Sequence, residues 1–112
     1  MEAGHALSSP LGRITISSDA IARIVGETAR ECYGVVGMAG WKWLPDRATR
    51  GIEVGGSGEG VTIDLHVVVE YGLNLAEVAS TIRNRVAYEV ERLTGLSVQA
   101  IEVHIDDVKR SG

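Results

Sequence analysis

Apolar and polar residues alternate strictly through the middle of the chain. Val61, Ile63, Leu65, Val67, Val69 and Tyr71 share one side of an extended segment, and Thr62, Asp64, His66, Val68 and Glu70 share the other. That two-residue period predicts a β-strand with one face on a core. Gly12-Arg-Ile-Thr-Ile-Ser17 predicts a shorter strand, with Ile14 and Ile16 inward and Arg13, Thr15 and Ser17 outward. Val98 to Val108 predicts a last strand, in which Ile101, Val103 and Ile105 face the core and Glu102, His104 and Asp106 face away. Ile52 and Val54 predict a short strand, joined to the central one through Gly55-Gly-Ser-Gly-Glu-Gly60, a hairpin-turn composition.

Between these strands the period becomes helical. Ile21, Ile24, Val25, Thr28 and Cys32 form one stripe. Ser17 or Ser18 can cap that helix, Asp19 favours its positive end, and Gly34 is a left-handed stop. A second stripe runs through Leu75, Val78, Ala79, Ile82, Val86, Val90 and Leu93. Asn74 and Glu77 stand at capping-box spacing before it, and Thr94-Gly95 ends it.

The order β-α-β-β-α-β predicts an α+β fold of the split βαβ type: a small, mostly antiparallel sheet with two helices packed on one face. In that layout the 12–17 strand lies between the 61–71 and 98–108 strands. Residues 1–11, with Pro10, read as a flexible tail, residues 12–108 as a single domain and residues 109–112 as a polar tail.

Composition narrows the function classes. With 112 residues, no Phe and five other aromatics, the core must be built from Val, Ile, Leu and Ala. Eleven basic against fifteen acidic residues give a net charge of −4, without the basic surplus that nucleic-acid binders usually carry. A single cysteine, Cys32, precludes an internal disulfide and suits a reducing cytosol. The N-terminus lacks the pattern of a signal peptide, and Val67-Val68-Val69 is too short to span a bilayer.

Glu31-Cys-Tyr-Gly-Val-Val-Gly-Met-Ala-Gly40 invites comparison with phosphate-binding loops, but its glycines follow a helix C-terminus. Anions collect at the opposite, positive end. The GxxGxxG spacing also fits neither dinucleotide nor Walker patterns. A helix stop at Gly34, an apolar entry at Val35 and Val36 and a tight approach at Gly37 account for the stretch.

An ordered set of segments resembles a known family. Gly12-Arg-Ile-Thr-Ile-Ser, Ile21-Ala-Arg-Ile and Gly34-Val-Val-Gly-Met38 are similar to its N-terminal half. Ile63-Asp-Leu-His-Val-Val-Val-Glu-Tyr-Gly-Leu-Asn-Leu-Ala-Glu-Val-Ala79 and Val90-Glu-Arg-Leu-Thr-Gly-Leu96 are similar to its C-terminal half. The family is that of alkaline shock, or envelope stress response, proteins of Gram-positive and related bacteria. The resemblance implies a small cytosolic protein without established catalysis. It also implies self-association, gathering at the inner membrane face through a membrane-anchored partner, and a link to lipid metabolism. It carries over no catalytic residue, cofactor or metal.

Two surfaces are candidates for contact. One is the polar sheet face: Arg13, Asp64, His66, Glu70, Glu102 and His104. Imidazoles and carboxylates together can hold a divalent ion. With the 12–17 strand between them, however, His66 and His104 would stand about 10 Å apart, two strand spacings. One ion does not bridge that gap, so the face reads as solvated or partner-facing. The other candidate is Trp41, Lys42, Trp43, Arg47 and Arg50, a tryptophan- and cation-rich stretch interrupted by Pro45. Trp and Arg anchor protein interfaces, although the indoles could instead cap the core. Cys32, on an apolar stripe, reads as an inert buried thiol.

The function that follows is a non-catalytic interaction module of the cell-envelope stress response, forming homo-oligomers, docking on a membrane-anchored partner, or both. An accessory protein for a lipid-metabolism enzyme is the alternative. A metal-dependent enzyme is the remaining class and would require stoichiometric metal.

Overall fold

One strand organises the molecule. In the computed structural model, which describes residues 4–38 and 50–110, strand β5 (Gly60–Glu70) buries Val61, Ile63, Leu65, Val67 and Val69 at 0–2% exposure. At about 1.5–3 kcal/mol for each fully buried aliphatic side chain, this row is the largest apolar contribution of any single element. The other elements are β1 (Gly4–Ser9), β2 (Gly12–Ser17), α1 (Ser18–Glu31), β3 (Val35–Met38), β4 (Ile52–Gly55), α2 (Leu75–Thr94) and β6 (Ser97–Lys109).

The α+β class and the two helices over one sheet face are as the pattern predicts. Ser17 caps α1 by accepting a hydrogen bond from the Ala20 N–H at 3.0 Å. Asn74 caps α2 by accepting from the Glu77 N–H at 3.0 Å. Gly95 closes α2 in the left-handed region at φ 78°. The helices bury Ile21, Val25 and Ala29 of α1 and Val78, Ile82, Val86 and Val90 of α2 against the β5 row. The expected stripe extends too far at its ends, since Leu75 and Leu93 are exposed. Tyr71 is also exposed, beyond the end of β5, with the Arg110 guanidinium 4.3 Å above its ring.

Strand β6 pairs with β5 in parallel over its whole length. The cause is geometric. A helix of twenty residues is about 30 Å long, close to the roughly 36 Å of an eleven-residue strand, so α2 returns the chain to the start of β5. Two register shifts interrupt the pairing, and they leave Gln99 and Asp106 without partners. Each extra residue offsets the pleat by one position. Val98, Ile101, Val103, Ile105 and Val108 can therefore all pack on the core despite their irregular spacing.

On its other edge β5 is met, antiparallel, by two short strands in succession. β4 pairs along Thr62–Leu65 and β3 along Val67–Val69. Val35 and Val36, expected only as an apolar entry, belong to β3. Gly34 has φ 91°, and a Cβ there would lie 2.6 Å from Leu73 Cδ1, so glycine is required. The tight approach expected at Gly37 is absent, because a Cβ there would meet nothing within 4 Å.

The N-terminal region departs most from expectation. Residues 4–9 are not a tail: they form β1, antiparallel to β2 in a separate two-stranded sheet. The turn between them is built by the Ser9 hydroxyl, which accepts from the Leu11 N–H at 3.3 Å. β2 consequently does not lie between β5 and β6. The hairpin is anchored at the β4–β5 end of the domain. His5 is fully buried with Nε2 3.1 Å from the Gly55 carbonyl, the Ala6 N–H donates to Gly58 O, and Leu7 packs on the core. Ile14, expected inward, is 63% exposed.

Two substitutions separate these arrangements. Leu65→Ala is expected to cost about 2–5 kcal/mol in urea unfolding, as a truncation in a packed core. Ile14→Ala is expected to stay within about 0.5 kcal/mol of the parent, as a surface change. A core-sized loss for Ile14→Ala would return β2 to the main sheet.

Candidate functional site

The direct β5–β6 pairing changes the chemistry of the outer sheet face. Register places His66 opposite His104. Their rings stack with centroids 4.3 Å apart and planes within 10°, where a separation of two strands was expected. The missing intermediate strand is the reason.

Carboxylates flank the stacked pair. Asp64 is opposite Glu102 on β6 and opposite Glu53 on β4, which makes one rung of three acids across three strands. His104 Nε2 is 3.4 Å from Asp64 Oδ1 and 3.8 Å from Glu102 Oε2. His66 Nδ1 is 3.0 Å from Asp106 Oδ2 and 3.2 Å from Oδ1. Asp106 reaches His66 from the second register shift of β6. Asp64, His66, Glu102, His104 and Asp106 are all accessible, from 36% for His66 to 68% for Glu102. One donor atom from each of Asp64, Glu102 and His104 lies within 4.8 Å of the other two.

Of the other residues expected on this face, Glu70 ends β5 and pairs with Lys109 in the parallel register. Arg13 does not belong here. It lies exposed on β2, opposite Ser8, in the hairpin. Glu53 and Asp107 extend the acidic character beyond the residues singled out in sequence, and Asp106, expected to face away from the core, joins the face through His66. For Glu53 the signal was its alternation with the inward Ile52 and Val54. For Asp106 nothing in the sequence reveals the register shift.

Trp41, Lys42, Trp43 and Arg47 lie outside the described residues. Arg50 precedes β4 and is half-buried. Beside it the Gly51 carbonyl accepts from the His66 N–H at 2.8 Å.

Three clefts lined by described residues are shallow and separate from this face. One of about 180 Å³ lies between Tyr33, Leu73 and the start of α2. One of about 340 Å³ lies between the helices, beside Ile24, Glu27, Glu89 and Leu93. A third, of about 190 Å³, lies between α2 and β6. Cys32 is buried, and its thiol lies 3.4 Å from the Thr28 carbonyl. Burial pushes the thiol above its ordinary pKa, and the Arg85 guanidinium offsets part of that shift. A raised pKa depletes the reactive thiolate, which makes Cys32 unsuited to nucleophilic chemistry.

Comparison with known proteins places the chain. The profile of the alkaline shock protein 23 family, described by a cell envelope-related function, matches residues 6–110. The chain belongs to this family. It is 34% identical to the uncharacterized protein YloU of Bacillus subtilis (strain 168), over 92% of this chain and 93% of the relative. It is 28% identical to a stress response regulator gls24 homolog of Streptococcus pyogenes serotype M3, over 88% of this chain and 59% of that protein. Among solved structures, the zinc form of a MamM CTD variant superposes with a TM-score of 0.60 at 13% identity, over 81% of this chain and 86% of that one. At that identity the likeness is one of fold.

A thiol held protonated in the core should react slowly. The expected outcome is that Ellman's reagent labels Cys32 of the native protein at least about tenfold more slowly than the urea-unfolded chain. Equal rates would place the thiol at the surface.

Proposed function

We propose that this chain is a non-catalytic interaction module of the cell-envelope stress response, which associates with copies of itself and docks on a membrane-anchored protein. The observation that carries the reading is the outer face of the four-stranded sheet. Among the described residues no helix covers it, and Glu53, Asp64, Glu102, Asp106 and Asp107 make it acidic. No helix of the described residues is long and apolar enough to cross a membrane. Location at the envelope would then depend on a partner.

Charge complementarity suggests the self-contact. Lys42, Arg47 and Arg50 give the 41–50 stretch three cations against the single acid Asp46. Presented by one copy, this stretch matches the acidic face of another, with Trp41 and Trp43 as the apolar anchors that a polar rim requires. Contacts between exposed charges weaken as salt screens them, so the assembly should loosen at high ionic strength.

Light scattering on the purified protein, combined with a native pull-down, tests the reading. Trp41→Ala with Trp43→Ala is expected to weaken self-association or partner capture at least about tenfold, as loss of interface anchors does, while the urea midpoint stays near the parent value. Collapse of stability in that variant would make the indoles core residues. Recovery of a lipid-metabolism enzyme in place of an envelope anchor would favour the accessory role.

A further inference from the structure

The rungs around His104 have a chemistry that docking alone does not require. Like charges directly opposite one another destabilise a sheet, yet Glu53, Asp64 and Glu102 share one rung. An imidazole from the next rung points into that acidic row, with His104 Nε2 3.4 Å from Asp64 and 3.8 Å from Glu102.

We propose that Asp64, Glu102 and His104 form a binding site for a divalent first-row transition ion such as zinc. Donor spacing supports the assignment. Around a tetrahedral zinc with bonds of about 2.0–2.1 Å, donor atoms lie roughly 3.3–3.5 Å apart. The three donors here all lie within 4.8 Å of one another, so side-chain rotations alone bring them to that spacing. Two carboxylates neutralise the ion, and the imidazole favours zinc, nickel or copper over magnesium and calcium. Three protein donors leave a coordination position for water or an incoming ligand.

The support around the donors has the form such sites use. All three donors stand on directly paired strands, so the backbone register sets their separation. His66 is held by Asp106 at 3.0 Å and stacks on His104 at 4.3 Å, which fixes the plane of the liganding ring. Stacking restricts the orientation of the His104 ring, the task that outer-shell hydrogen bonds perform for ligand histidines in other metal sites. His66 and Asp106 are therefore positioning residues, and the ion bonds to Asp64, Glu102 and His104.

This inference is independent of the docking partner and is tested on the purified chain alone. After treatment with a chelator, zinc chloride is titrated calorimetrically and the imidazole signals are followed by NMR. The expected result is one ion per chain, perturbation of the His104 ring, and no displacement by excess magnesium. His104→Ala and, separately, Asp64→Asn should each weaken binding at least about tenfold, with circular dichroism unchanged. Glu102→Gln, at a more exposed position, serves if either of those fails to fold. Absence of saturable binding, parent-like affinity in the folded variants, or perturbation of His5 alone would overturn the proposal.

Discussion

The structure depends on a strand that has one face entirely in the core and both edges in use. Val61, Ile63, Leu65, Val67 and Val69 leave β5 no other register, because a one-residue slip would exchange them for Thr62, Asp64, His66, Val68 and Glu70. Once β5 is fixed, the length of α2 brings β6 back in parallel, and β3 and β4 take what remains. The outer face is then determined as well. Every polar residue of β5 is delivered to it as the complement of the buried row.

Much of this was legible in the chain. The buried row of β5, both N-caps and the end of α2 at Gly95 followed from local rules that tertiary packing had no reason to override. What escaped was pairing. Alternation at Ile14 and Ile16 identifies a strand but not its neighbour. The cue that residues 4–9 would pair with it, a Ser-Pro-Leu-Gly turn, sat inside a segment that reads as a tail. Because β2 went to β1, β5 and β6 became neighbours, and two histidines expected at a distance came into ring contact. The candidate site was thus half visible: its side chains and their common face could be read, but their mutual distances could not.

The face that gathers His66, His104 and their carboxylates is open, and the three clefts lined by described residues lie elsewhere. Cys32, the only thiol, is kept protonated in the core. An open polar face suits recognition, and an ion held there would change its charge without enclosing a reactant.

The two short strands on one edge of β5 have a consequence for evolution. β3 leaves the sheet opposite Val67 and β4 re-enters opposite Leu65, so everything between Met38 and Ile52 departs and returns within a single pleat, at His66. Chain inserted at such a point behaves as an exchangeable cassette. Its length and composition can change while the pairing of β3 and β4 with β5 stays intact.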